Sequence, residues 1–120
     1  MDNYIDGFVL TIARRNLAAY QRMARKAGQV WREHGALAYV ECAGDDMNAA
    51  GMIPFPKLAK AKPGEVVIFA WAAFKSRRAR DRANAAIMKD PRIAGMCDAS
   101  KQIVDCKRMA YGGFKVLVQL

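Results

Sequence analysis

Asp6, His34 and Glu41 are the side chains in this sequence best suited to acid–base chemistry. Asp6 and Glu41 each share one face of a predicted strand with mainly apolar residues, so we expect both to be buried. A buried carboxylate must find a partner or change its pKa, and Arg108 or His34 is a candidate partner for each. His34 is the only histidine, and its charge can change near neutral pH. These three residues are therefore the candidates for a catalytic acid or base.

A structural role is the alternative for each of the three. His34 comes at the end of a predicted helix, where a partly charged histidine stabilises the helix dipole. Asp6 and Glu41 can equally form structural ion pairs. Acid and base roles stay unassigned without a substrate, so both interpretations remain open.

Four aromatic side chains are candidates for lining a ligand pocket between the sheet and the helices: Trp31, Tyr39, Trp71 and Tyr111. The tyrosine hydroxyls would orient a bound molecule. Arg108 is a further ligand-binding candidate. Packing in the core or at an interface is the alternative for the aromatic residues.

The three cysteines, Cys42, Cys97 and Cys106, leave one thiol unpaired in any disulfide scheme. The sequence has no C-x-x-C motif and no second histidine to complete a usual zinc set. We therefore expect three reduced thiols, no metal and no cofactor. A haem site is not indicated either, because one histidine alone does not mark a haem pocket.

The 120 residues are long enough to form one domain with its own core, spanning residues 1–120. A hydrophobic fraction of 53% with 26% charged residues is typical of a globular protein. Residues 1–6 are acidic where a secretory signal would be basic. The longest uncharged apolar run, residues 66–74, is about half of the roughly 18 residues needed to span a bilayer. These features predict a soluble, cytoplasmic protein without a membrane partner.

The net charge of +9 is high for this length. Such an excess can attract nucleic acid, anionic lipid or acidic metabolites. An ordinary solvated surface is the simpler interpretation, so charge alone does not identify a partner.

Hydrophobic periodicity predicts the elements in the order βαββαβ. Strands are expected at residues 5–12, 37–43, 65–74 and 108–118. A helix capped by Asn16 should run to Gly35, and a second helix should run from Ser76 to the Asp90-Pro91 pair. Gly112 and Gly113 predict a bulge or a close backbone approach in the last strand. The connection 44–64 is long enough to be functional or mobile and is expected to cover one edge of the sheet.

This order predicts a ferredoxin-like α+β sandwich with a four-stranded antiparallel sheet. Crossovers between parallel strands are right-handed in nearly all proteins, so both helices should cover the same face. Strands one, three and four are nevertheless apolar on both faces, whereas a bare face should be polar. The sequence therefore predicts a homodimer in which two sheets stack through their open faces.

Several stretches resemble one small bacterial family. They are Asp6-Gly7-Phe8, residues 30–37, Tyr39-Val40-Glu41-Cys42, Gly44-Asp45-Asp46, Phe55-Pro56, Ser76-Arg77 with Arg80-Asp81, residues 88–92 and residues 107–114. End to end, the chain resembles the DUF1428 family, the YbaA-like proteins of unknown function. The resemblance implies the dimeric α+β barrel superfamily, which includes cofactor-free monooxygenases, muconolactone isomerases and haem-binding relatives. Because the family has no established activity, no catalytic residues are carried over.

A homodimer that binds a small molecule is the preferred hypothesis, with oxygenase or isomerase activity as its enzymatic form. RNA binding is the main alternative, since RRM domains share the βαββαβ order. An RRM, however, places aromatic residues on its first and third strands, whereas residues 111–115 fall on the fourth. A purely structural or interaction dimer is the third hypothesis.

Overall fold

The computed structural model describes residues 3–94, 96 and 103–120. Its helices and strands are β1 (Tyr4–Ala13), α1 (Leu17–Glu33), β2 (Ala38–Ala43), α2 (Phe55–Leu58), β3 (Glu65–Phe74), α3 (Arg77–Lys89) and β4 (Ala110–Lys115). Two short 3-10 helices at Arg14–Asn16 and Cys106–Arg108 complete the order.

The four strands form one antiparallel sheet in the order β2-β3-β1-β4. The two central strands pair along their full length, from Tyr4 opposite Phe74 to Ala13 opposite Glu65. The predicted βαββαβ order and the four-stranded antiparallel sheet are confirmed. The short helix α2 within the long connection was not predicted.

Both long helices pack on the same face of the sheet, as predicted. One part of the core joins Leu10 and Ile68 of the sheet to Tyr20 of α1. A second part joins Phe74 of the sheet to residues of both helices, including Ile87 of α3. Burial of these side chains removes apolar surface from water at about 25 cal/mol per Å² and holds the two layers together.

The opposite face of the sheet is only partly covered. Phe69 is 44% exposed and Phe114 is 60% exposed. Phe55 of α2 contacts Phe69 with ring centroids 6.2 Å apart, and the Phe114 ring lies against Gly7. The long connection therefore covers part of this open face by packing on β3, a central strand. The prediction was that it would cover an edge of the sheet.

Two helix ends match their sequence signals and one does not. Gly35 has φ +116, a conformation that side chains resist, and the Ser76 hydroxyl accepts a hydrogen bond from the Ala79 amide at 3.1 Å. Asn16 is the N-cap residue of α1 as predicted, but it lies in a 3-10 turn and its side chain makes no capping hydrogen bond, so the predicted capping bond is wrong.

Strand β4 ends at Lys115, earlier than the predicted residue 118. Lys115 pairs with Tyr4, the first residue of β1, so β1 offers no further strand residue for pairing. Gly112 and Gly113 continue the register without a bulge. A Cβ on Gly113 would lie 2.6 Å from the Tyr4 hydroxyl, which confirms the close approach.

Cys106 is disulfide-bonded, so the expectation of three reduced thiols is wrong. Cys42 is free and exposed, and Cys97 lies outside the described residues. None of the helices in the described ranges has the length and apolar character needed to cross a membrane.

Candidate functional site

Glu41 lies between two tyrosine hydroxyls on the helix-covered face of the sheet. The hydroxyl of Tyr20, from α1, donates to its Oε1 at 2.5 Å. The hydroxyl of Tyr39, two residues away on β2, donates to its Oε2 at 2.5 Å. Alternation along β2 places Tyr39 and Glu41 on the same face, which is why both reach α1.

The two tyrosines remain hydrogen-bond donors over a wide pH range. Burial, reinforced by the Glu41 carboxylate, raises the pKa of both Tyr20 and Tyr39 well above the ordinary phenol value. Each carboxylate oxygen accepts one of these bonds and keeps further acceptor capacity. Glu41 is therefore a fixed acceptor.

A groove of about 730 Å³ runs between α1 and β2 and contains this cluster. Its lining is Leu17, Tyr20, Gln21, Ala24, Arg25, Gly28, Gln29, Arg32, Glu33, Tyr39, Glu41, Cys42, Ala43 and Ile68. The floor is mainly apolar, and the rim carries arginine and glutamine side chains. This is the usual character of a small-molecule site.

Asp6 forms a second, more enclosed cluster under α3. Its side chain is fully buried. The Nη1 atom of Arg80 lies 3.6 Å from Oδ1, and the Asn84 amide donates to Oδ2 at 3.3 Å. Burial raises the pKa of Asp6 against the opposing influence of Arg80. Oδ1 has no hydrogen-bond partner in the described part of the chain.

Tyr111 closes the Asp6 cluster towards solvent. Its hydroxyl accepts hydrogen bonds from Arg80 at 2.9 Å and from Asn84 at 3.1 Å. Arg80 also donates to the Tyr4 hydroxyl at 3.1 Å, with its guanidinium over the Tyr4 ring. The guanidinium is thus committed to residues of this chain, and the cluster ties β1, β4 and α3 together.

His34 lies in a third cluster, where the ends of α1 and α3 meet. Its Nε2 is 2.9 Å from Oδ2 of Asp90. Arg92 bonds both oxygens of Asp90 and also pairs with Glu33 at 2.6 Å. The hydrogen bonds from Arg92 and His34 hold the pKa of Asp90 well below its usual range. This arrangement favours the structural interpretation of His34.

Arg108 is bound to Glu65 and to neither candidate carboxylate. Its two terminal nitrogens each donate to one oxygen of Glu65 at 2.8 Å. Such a bidentate pair is geometrically specific. The prediction that Arg108 or His34 partners Asp6 or Glu41 is therefore wrong.

The aromatic candidates do not share one pocket. Trp31 and Tyr39 are together, with ring centroids 5.7 Å apart. Tyr111 belongs to the Asp6 cluster and contacts Phe8 at 5.0 Å. Trp71 pairs with Gly7 on β1 and Val40 on β2. Successive side chains of a strand point to opposite faces, and the next residue, Ala72, is buried under the helices. Trp71 therefore lies on the open face and cannot line a pocket under the helices.

Tyr20, Arg80 and Asn84 were missed as site residues. Tyr20 recurs at helical spacing with Leu17, Ala24 and Ala27. Its hydroxyl was the available signal, because a buried tyrosine hydroxyl needs a partner. Arg80 lies next to Ala79 in the sequence, and Ala79 recurs at helical spacing with Ala83 and Ile87 as an apolar stripe of α3. A basic residue so close to that stripe indicates a buried carboxylate opposite it.

The family model described as "Protein of unknown function (DUF1428)" matches residues 3–105. The chain is 37% identical over 115 residues to the uncharacterized protein YbaA of Escherichia coli strain K12, covering 96% of this chain and 97% of YbaA. The chain belongs to the DUF1428 family. The resemblance seen in the sequence is confirmed.

Solved structures with the same fold show low sequence identity to this DUF1428 chain. A variant of SnoaB, a cofactor-independent oxygenase from Streptomyces nogalater, aligns with TM-score 0.65 and 14% identity, covering 100% of this chain and 98% of SnoaB. A dimeric ferredoxin-like protein from an uncultured marine organism aligns with TM-score 0.57 and 10% identity, covering 100% of this chain and 98% of the marine protein. A nipsnap family protein from Agrobacterium tumefaciens aligns with TM-score 0.56 and 16% identity, covering 96% of this chain and 88% of the nipsnap protein. These likenesses confirm the ferredoxin-like fold.

Proposed function

We propose that this protein is a homodimer that binds a small organic molecule in the groove between α1 and β2 of each protomer. The observation that carries the proposal is Glu41, a carboxylate fixed by the Tyr20 and Tyr39 hydroxyls inside that groove. Two donors from different elements hold the carboxylate in one orientation. Such fixed polar groups amid apolar lining give a site its specificity.

The enzymatic form of this proposal is an oxygenase or isomerase that needs no cofactor. Such reactions begin when a base removes a proton from the substrate, and Glu41 is the carboxylate in the groove placed to accept one. Asp6 is less suited to this role because its side chain is fully buried. The fold shared with SnoaB, a cofactor-independent oxygenase, supports this reaction class.

The dimer is proposed from the open face of the sheet. Phe69 and Phe114 remain substantially exposed there, and Leu117 and Val118 beyond β4 are more exposed still. Exposed apolar surface of this kind is unusual on a monomer. A second copy stacked on this face would bury it, and the fold shared with a protein described as a dimeric ferredoxin-like protein supports that assembly.

RNA binding in the manner of an RRM is not favoured by this geometry. The exposed side of β1 carries Ile5, Gly7 and Val9, whereas its one phenylalanine, Phe8, packs against Tyr111 under the helices. An RRM needs aromatic rings on both central strands for base stacking. Of the two central strands, β3 presents aromatic rings on the open face, those of Phe69 and Trp71, and β1 presents none there.

The binding proposal is tested with a fragment library and amide chemical shifts of isotope-labelled protein. Fragments should shift residues that line the groove, and Glu41→Gln should weaken their binding. His34→Ala is the matched control, because His34 belongs to the separate cluster at the helix ends and its loss should leave binding unchanged. A library in which every groove-binding fragment binds Glu41→Gln as tightly as the native chain would contradict the proposal.

The dimer is tested by sedimentation equilibrium with two charge-introducing variants. Phe69→Lys places a charge on the open face and should shift the protein towards monomer. Met88→Lys replaces an exposed methionine of α3 and should leave the dimer intact. A native protein that stays monomeric at micromolar concentration would overturn the assembly.

A further inference from the structure

The charges around the Glu41 groove are arranged in two separate places. Glu41 sits at its centre with Tyr20 and Tyr39, while Arg25 and Arg32 stand on the rim contributed by α1. The other acidic lining residue, Glu33, is already paired with Arg92 at 2.6 Å. The groove therefore presents one carboxylate inside and two guanidinium groups outside it.

At its centre, the groove selects a hydrogen-bond donor. The Tyr20 and Tyr39 hydroxyls already donate their hydrogen bonds to Glu41. The three groups together therefore offer mainly acceptor positions to a ligand. An anionic or purely accepting group placed there would be repelled by the carboxylate. A hydroxyl or an ammonium group, in contrast, would complete the hydrogen bonding of Glu41.

The groove selects an anion at its rim. Arg25 is exposed, lines the groove and has no carboxylate partner among the described residues. Arg32 donates one hydrogen bond to the Leu37 carbonyl and lies seven residues, nearly two helical turns, beyond Arg25 on the same side of α1. Guanidinium groups match carboxylates in shape and charge.

The volume of the groove limits the size of the ligand. Arg25 follows Tyr20 by five residues, which places it about 7.5 Å further along the helix axis and about 140° around it. Apolar side chains, including Ala24 and Ile68, lie on the lining between the helix and the strand. A groove of about 730 Å³ accommodates a compact ligand whose two polar ends are joined by an apolar spacer of roughly one ring.

We infer that the groove takes a small organic acid whose carboxylate meets Arg25 and Arg32 and whose opposite end, a hydroxyl or an ammonium group, donates to Glu41. This inference rests on the groove being the binding site proposed above. It adds the polarity of the ligand, with the donor at the centre and the anion at the rim, which neither the fold nor the family assigns.

The test uses four para-substituted probes with the same ring and measures their dissociation constants by titration calorimetry. Para-hydroxybenzoate and para-aminomethylbenzoate carry both ends, para-methoxybenzoate lacks the donor, and para-hydroxybenzyl alcohol lacks the carboxylate. At least one two-ended probe should bind about tenfold more tightly than both one-ended probes. Which of the two binds more tightly distinguishes a hydroxy acid from an amino acid.

Two variants assign each end of the probe. Glu41→Gln should remove the advantage of the donor and should not weaken binding of the methoxy probe. Arg25→Gln should weaken both carboxylate probes and leave the alcohol unchanged, with Arg22→Gln, on the neighbouring turn but outside the groove lining, as the matched control. A variant effect that is equal for all four probes would overturn the inference.

The outcome also separates this inference from the function on which it rests. If library fragments bind in the groove but the two-ended probes show no advantage, the ligand polarity is wrong and the site stands. If nothing shifts residues of the groove, the binding proposal fails first.

Discussion

Gly28 of α1 and Tyr39 of β2 are packed so closely that no side chain fits between them. A Cβ built on Gly28 would lie 2.6 Å from Cδ1 of the Tyr39 ring. The tyrosine ring therefore occupies the space that an alanine methyl would need. Because the Tyr39 hydroxyl holds Glu41, this contact between helix and strand also sets the position of the carboxylate.

Replacing Gly28 with alanine should destabilise the native chain despite the better helix propensity of alanine. The expected gain of about 1 kcal/mol from propensity is opposed by an overpacking cost of about 1–3 kcal/mol. In a Tyr39→Ala background the ring is absent, and the same substitution should become stabilising. Urea unfolding of the four proteins measures this change of sign. A Gly28→Ala effect of the same sign and size in both backgrounds would contradict the contact.

Stability should fall in alkaline solution through Tyr20 and Tyr39. Their native pKa values are raised above those of the unfolded chain, so the native state keeps protons that the unfolded state releases. This stabilisation is present below about pH 10, the ordinary phenol value, and is lost as the pH rises further. Tyr20→Phe/Tyr39→Phe should show a shallower decline in unfolding free energy, measured between pH 9 and 11 (about one unit either side of that value). Equal slopes would show that these hydroxyls are not held as described.

Glu65 should give the opposite dependence in acid. Its hydrogen bonds from Arg108 lower the pKa of Glu65 to about 2. The stabilisation is therefore present above the unfolded value of about 4.3 and is lost as the pH falls towards the native value. Glu65→Gln should reduce the loss of stability on acidification, measured by urea unfolding. The control Arg77→Gln breaks the exposed Arg77–Asp81 pair. It should change the loss of unfolding free energy on acidification less than Glu65→Gln does.

Asp6 should titrate in the contrary sense to Glu65. Burial raises its native pKa above the unfolded value, so protonation favours the folded state. Stability from this group is fully present below about pH 4 and is lost as the pH rises through the native pKa. Asp6→Asn removes that loss, so the variant should compare more favourably with the native chain at pH 7 than at pH 4. The reverse order, in unfolding free energies measured at both pH values, would contradict the raised pKa.

The strands and helices could be predicted because each carries a periodic pattern. Strand β3 runs over the predicted range of residues, and α1 ends where Gly35 takes a positive φ. Local signals of this kind depend on neighbours in sequence. The end of β4 could not be predicted, because it depends on where β1 begins to offer a partner.

The candidate carboxylates were found, but their partners were not. Asp6 and Glu41 could be singled out because acidic residues on apolar strand faces are rare. Their partners come from helices, with Tyr20 reaching Glu41 and Arg80 reaching Asp6. Which side chain meets which carboxylate depends on the rotation of each helix on the sheet, and a pattern of apolar spacing fixes that rotation only coarsely.

Covering both faces of the sheet also lies beyond what alternation can show. The apolar residues of β3 predicted a second cover, but not that Phe55 of the chain itself supplies part of it. That contact depends on α2, which is only four residues long and has too few positions to show a helical period.

The ion cluster of His34, Asp90, Arg92 and Glu33 joins the end of α1 to the end of α3. In the part of the chain that the structure describes, no comparable charged tie joins the opposite ends of these helices, near Leu17 and Ser76. Any widening of the groove is therefore expected as a pivot of α1 about its His34 end. A large ligand would therefore enter the groove past Leu17, while the His34 end of α1 would stay in place.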